Sequence, residues 1–287
     1  MSRKPLFWIL ALTLAGATAV VQRMTGPTYP VSGRTTMRGK PLSYVLERSH
    51  GGDSDAMVRI PLRDSSIHAE LEWRRYKTED PWHRVSMRMD SAGVEGEIPH
   101  QPPGGKVLYR VRLDDGVESI SLPEKDPVIM RFKGEVPLWA LLPHILAMFG
   151  AMFLSARAGF ECFSPEPSYK RLVHWTIGLM VVGGFILGPL VQYYAFHAWW
   201  TGWPFGDDLT DNKTAVAMLA WICAAVALRR GWHGRRWVLS ASLITFVIFL
   251  VPHSLFGTEL DCNAKVEKRT VTADIAENVA EFKQFRP

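Results

Sequence analysis

The sequence predicts an α+β membrane protein: an N-terminal anchor helix, an all-β module and a four-helix transmembrane bundle. Three observations predict it. Runs without Asp, Glu, Lys or Arg recur at residues 5–22, 136–156, 172–206, 214–228 and 237–258. Of the 61 charged side chains, 34 fall between residues 30 and 135, seventeen of each sign. Inside that charged segment, apolar and polar residues alternate. The mean hydropathy of +0.01 therefore averages two unlike parts, and excludes neither membrane spans nor a folded polar module.

The first run, PLFWILALTLAGATAVVQ, follows Arg3 and Lys4. Its eighteen residues approach the length needed to cross a bilayer core of about 30 Å. Ala17-Thr18-Ala19 would also serve as a signal-peptide cleavage site, so segment 1–24 reads as an anchor, favoured by length, or as a cleaved leader. Either reading sends the next segment across the membrane.

Residues 30–135 read as a β-module. Ile67, Ala69, Leu71 and Trp73 alternate with His68, Glu70, Glu72 and Arg74. Val107, Tyr109, Val111 and Leu113 form a second such row, Val85, Met87 and Met89 a third, and Val128, Met130 and Phe132 a fourth. A period of two with one polar face predicts strands covered on one side. Turn residues at 51–53, 79–81, 102–105 and 114–116 separate about seven strands, which suggests an immunoglobulin-like sandwich. No cysteine occurs in this segment, which favours the fibronectin-like version.

Segment 136–258 carries four more apolar helices, placed at 137–157, 172–194, 213–229 and 237–257. The second of these is expected to bend at Gly183-Gly184 and Gly188-Pro189. Arg3, Lys4, Arg157, Lys170, Arg171, Arg229, Arg230, Arg235 and Arg236 all fall at one set of helix ends. The positive-inside rule puts those ends in the cytoplasm, and the β-module and the C-terminus outside it. The pI of about 9.1 comes largely from these flanking residues, so a nucleic-acid partner is rejected. Trp139, Trp199, Trp200, Trp203, Trp232 and Trp237 are placed as an interfacial belt. Tail 259–287 carries Ile275, Val279, Phe282 and Phe285 at helical spacing, suiting an amphipathic helix on the membrane or on the β-module. Cys162, Cys223 and Cys262 lie too far apart in this topology to form a disulfide.

Few residues carry chemistry. Pro143-His144 and Pro252-His253 place two imidazoles at similar depth, about 12 and 8 Å from the outer helix ends. Histidines there suit haem b or copper, with Met148 one turn beyond His144 as a further metal ligand. The plainer reading, which weighs more, is that each imidazole satisfies a carbonyl freed by a proline. Asp207 and Asp208, with Glu259 and Asp261, could hold a hard cation, although a solvated acidic rim explains them as well. Asp211 or Asn212 is expected to cap the helix that follows. Charged residues fall only at the end positions of the expected spans and no hydrolase, kinase or dinucleotide motif is present, which argues against an ion-coupled transporter and gives no support for an enzyme.

At this point a resemblance can be stated. Arg131-Phe132-Lys133-Gly134, Val136-Pro137, Pro143-His144-Ile145, Gly188-Pro189, Trp200-Thr201-Gly202, Asp208-Leu209-Thr210-Asp211-Asn212-Lys213 and Pro252-His253-Ser254 together resemble a group of bacterial inner-membrane proteins. Those proteins pair a fibronectin-like extracytoplasmic domain with a helical membrane region, and no activity is assigned to the group. The resemblance covers most of the chain after the first helix and implies a bacterial inner-membrane location. The expected function is binding or scaffolding in the cell envelope, with membrane lipid and a protein partner as ligands. A redox subunit holding haem or copper through His144 and His253 is the alternative.

Overall fold

A computed structural model describes residues 4–252. His253, Glu259, Asp261, Cys262 and the tail 259–287 lie outside the described residues. The chain is α+β and divides into a β unit, residues 30–133, and a helical unit formed by the residues on either side of it.

The β unit has eleven strands rather than about seven. They are β1 (Val31–Met37), β2 (Lys40–Leu46), β3 (Ser49–Gly51), β4 (Ala56–Ile60), β5 (His68–Arg75), β6 (His83–Ser86), β7 (Arg88–Met89), β8 (Val94–Ile98), β9 (Lys106–Asp114), β10 (Ser119–Leu122) and β11 (Val128–Lys133). They form three open sheets: β1-β2, β4-β8-β7, and β3-β11-β9-β5-β6. β9 is the spine of the largest. All but its first residue pair antiparallel with β5, while β11 and β10 share its other edge. The β1-β2 hairpin closes at Arg38 and Gly39, whose φ angles of 51° and 72° give the mirror-image turn that matches strand twist.

One apolar core lies beneath these sheets. Leu71, Val107, Tyr109, Val111, Leu113 and Phe132 are fully buried there, with Leu46, Ile60 and Ile98 from the other sheets. The alternation in β5, β9 and β11 therefore gives their inward faces. In the row Val85, Met87, Met89 it does not. Val85 and Met89 are exposed on short edge strands, and only Met87 touches the core. The outward face also holds one surprise: Glu72 is fully buried.

The helical unit comprises α1 (Lys4–Thr25), α2 (Leu138–Glu161), α3 (Lys170–Met180), α4 (Gly188–Phe196), α5 (Leu209–Arg229) and α6 (Gly234–Leu250). A π-helical segment, Val181–Leu187, joins α3 and α4 into one continuous helix, Lys170–Phe196. The irregularity expected at the glycine pair is thus a widened turn just before Pro189. Four helices are long and apolar enough to cross a membrane: α1, α2, Lys170–Phe196 and α5. The described part of α6 has 17 residues, about 26 Å at 1.5 Å per residue, which is short of a bilayer core.

Small and hydroxyl residues bring the helices together. α1 buries Phe7, Ala11, Ala15 and Thr18 on one face. Ser242 Oγ on α6 donates to the Ser155 carbonyl on α2 at 2.9 Å, and Gly159 leaves the space that Ser242 occupies. Trp221 Nε1 on α5 donates to Thr245 Oγ1 on α6 at 2.8 Å. Large apolar side chains such as Leu6, Ile9, Leu138, Leu146, Leu219 and Leu243 stay exposed on the outer faces, as lipid contact requires. Gln22 at the end of α1 donates to the Phe249 and Val251 carbonyls at 2.9 and 3.3 Å, capping the last turn of α6. α1 is packed as a member of the bundle.

The helices run past the charge-free stretches and carry charge into the bundle. Arg157 and Glu161 lie within α2 and Asp211 and Lys213 within α5, and all four are buried. Charge-free runs mark the apolar centre of a span. A helix continues beyond that centre wherever a partner satisfies the charge.

Candidate functional site

In the β unit, polar side chains are concentrated on the outward face of β5, β6 and β9. The register places Arg84, Glu72 and Arg110 in one row, Ser86, Glu70 and Arg112 in the next, and His68 beside Asp114 in a third. Arg110 Nε lies 2.6 Å from Glu72 Oε2, and Arg84 Nε lies 3.2 Å from Glu72 Oε1. Two partly exposed guanidiniums therefore cover one buried carboxylate, which explains how Glu72 sits without water. The Trp82 ring meets the guanidiniums of Arg74 and Arg110 at 4.9 and 5.0 Å. Beside this stack an open groove of about 510 Å³ is lined by His68, Glu70, Arg84, Ser86, Arg112 and Asp114. The face offers an ordered mixture of both charges with an aromatic ring, the chemistry of a polar protein interface.

The loop at one end of the groove is held by Asp115. Its carboxylate accepts from the Glu118 and Val117 N–H groups at 2.7 and 2.9 Å, and from Arg38 Nε at 2.6 Å. The Glu118 amide, then Arg38 and the Val117 amide, hold its pKa down to about 2. The unfolded chain binds this proton more tightly, at about 3.9. Stability from Asp115 is accordingly present at neutral pH and is lost as pH falls from about 4 through about 2. Asp115→Asn is expected to flatten that acid limb, as read by urea unfolding of the full chain at successive pH values. An unchanged limb would contradict this assignment.

In the helical unit, His144 on α2 faces the π-helical segment. Its Nδ1 lies 2.9 Å from the Gly183 carbonyl, which can only accept, so Nδ1 carries a proton and, in the neutral imidazole, Nε2 keeps its lone pair. Met148, one turn along, packs its sulfur against Gly183 and Gly184. The glycines leave room for it: a Cβ on Gly183 would stand 2.8 Å from Met148 Sδ, and one on Gly184 2.7 Å from Thr214 Cγ2. The partner of His144 is therefore a carbonyl of the widened turn on another helix, which also accepts from the Gly188 N–H, and not a carbonyl freed by Pro143 on its own helix.

Asp207 is exposed. Asp208, rather than Asp211 or Asn212, caps α5, its Oδ1 accepting from the Thr210 N–H at 2.7 Å. Helix α5 therefore begins four residues before the expected 213, which places Asp211 and Lys213 in its first turns. Asp211 Oδ2 accepts from the Thr201 and Gly202 N–H groups at 2.7 and 3.0 Å. With its amide turned so that donors meet acceptors, Gln192 on α4 donates to both Asp211 oxygens and accepts from Thr201 Oγ1. Asn212 Oδ1 accepts from the Trp203 N–H at 2.7 Å, and Lys213 Nζ donates to the Val251 carbonyl at 2.8 Å. The residues of the Trp-Thr-Gly and Asp-Leu-Thr-Asp-Asn-Lys motifs thus lock the connection between α4 and α5 and tie α5 to the end of α6. The sequence expectation set these motifs in the loop before the helix and did not foresee this role, because Gln192 lies about twenty residues before its partner. Among the described residues no three His, Cys, Asp or Glu side chains cluster as a metal site.

No protein-family model matches the chain, and no curated protein matches it. The class rests on the structure: an α+β protein whose long apolar helices suit a multi-pass membrane protein.

Proposed function

We propose that the chain is an integral membrane binding or scaffolding protein of the bacterial cell envelope, which presents its β unit outside the cytoplasm to a protein partner. The single core shared by three sheets supports reading that unit as a fibronectin-like sandwich. The run of arginines at one set of helix ends supports the orientation. The resemblance to bacterial inner-membrane proteins supports the location. The observation that carries the function is the charge-ordered face of β5, β6 and β9, with the Trp82 ring against two guanidiniums. Glu70→Arg with Arg112→Glu swaps two charges that line the groove and leaves Glu72 with both of its guanidiniums. The pair is expected to weaken capture of the partner, in cross-linking from native membranes, by about tenfold or more with little change in thermal stability. Undiminished capture would refute the role of this face.

A second reading, a redox subunit, is favoured by one observation. Histidine ligands commonly donate their other ring N–H to a backbone carbonyl, as His144 does to Gly183. Haem or copper on Nε2 would give the purified protein an absorption band, lost in His144→Ala. His253 and Met148 are the further ligands this reading names. A colourless, metal-free protein purified from haem- and copper-replete cells would end it.

A further inference from the structure

The end of the bundle opposite the α4–α5 loop carries a cluster that the proposed binding role does not use. Arg229 and Arg230 close α5, Arg236 opens α6, and Lys170 and Arg171 open α3; all five are exposed. The structure ties these helix ends together. Arg235 Nη2 donates to the Ser164 carbonyl at 3.2 Å, the Cys162 thiol donates to the Arg235 carbonyl at 3.5 Å, and Gly234 abuts the Tyr169 hydroxyl.

The five cations form no ion pair and no side-chain hydrogen bond among the described residues. Glu161, the nearest buried acid, is occupied by Arg157 and by the Ser168 N–H. Neither α3 nor α6 has an acidic residue in its first turn. Beside the cations stand exposed aromatic rings: Phe163 at 62% exposure, Trp175 at 66%, Trp232 at 49% and Trp237 at 42%. The Arg230 guanidinium sits 4.9 Å from the Trp232 ring centre. Guanidiniums beside apolar rings at a helix end match a ligand that is itself amphipathic, an anionic head on an apolar tail. A soluble polyanion would leave the rings unused.

We infer that this end of the bundle is a binding site for anionic phospholipid, its phosphate held by Arg229, Arg230 and Arg236 with Lys170 and Arg171 beside them. The inference rests on the membrane reading above, and the test separates the two. The full chain in neutral detergent is titrated with phosphatidylglycerol, with phosphatidylcholine and with inorganic phosphate, and binding is read by native mass spectrometry and thermal shift. Phosphatidylglycerol is expected to bind far better than phosphatidylcholine, and more weakly as salt rises. A triple change of Arg229, Arg230 and Arg236 to Gln should lower that affinity by about a hundredfold, at roughly one decade or less for each charge. The same three positions changed to Lys should retain most of it. Equal binding of both lipids, an unchanged affinity in the Gln variant, or equal binding of free phosphate would overturn the lipid site. A chain that remains monodisperse without detergent would instead defeat the membrane reading itself.

Discussion

Glu161→Ala is expected to destabilise the helical unit by about 3–5 kcal/mol, the usual cost of removing one partner from a buried ion pair. Arg157 Nη1 lies 2.7 Å from Glu161 Oε2, with both side chains almost wholly buried. The guanidinium also sits 5.6 and 5.0 Å from the ring centres of Phe7 and Trp8 on α1. Without the carboxylate, Arg157 keeps its charge among those rings and the Ser168 N–H loses its acceptor. Thermal unfolding in detergent would report the loss. Glu161→Gln, which keeps an acceptor, should cost less. The double change Arg157→Met with Glu161→Leu should recover most of the stability, because replacing both members of a buried pair leaves no orphan charge. A single variant as stable as the parent would show that water reaches the pair.

Asp211→Ala is expected to cost about 2–5 kcal/mol, by leaving the Thr201 and Gly202 N–H groups and the Gln192 amide without their shared acceptor. Gly202 packs closely on Asp211, since a Cβ there would lie 2.6 Å from the Asp211 Cβ. Asp211→Asn should be far milder. Both N–H groups meet the same oxygen, which asparagine retains, and Gln192 can reverse its amide to accept from the new NH₂ and donate to Thr201 Oγ1. Protease sensitivity of the α4–α5 connection, with thermal unfolding, separates the variants. Equal behaviour of the Ala and Asn forms would count against the acceptor role.

Both effects arise from residues whose burial the sequence concealed. The alternation of β5 and β9 reveals an inward face, and Leu71, Tyr109 and Val111 occupy it. The same alternation assigns Glu72 to solvent. It is buried because Arg84 and Arg110, from strands twelve and thirty-eight residues away, close over it. Val85 and Met89 follow the pattern of a core strand yet lie exposed, since an edge strand has no layer above it. His144 was visible as an imidazole beside a proline. That its partner is the Gly183 carbonyl depends on the widened turn of a different helix.

The chain by itself determined that long apolar helices accompany a segment of β-strands, and which faces of its central strands are apolar. Those properties follow from composition and from periods of two and 3.6 residues, which are local and survive without knowledge of neighbours. Only the tertiary structure decided which charges are buried, which aspartate caps α5 and which locks the loop. Each of those outcomes depends on a partner distant in the chain, and a polar group enters the interior only where such a partner stands ready to receive it.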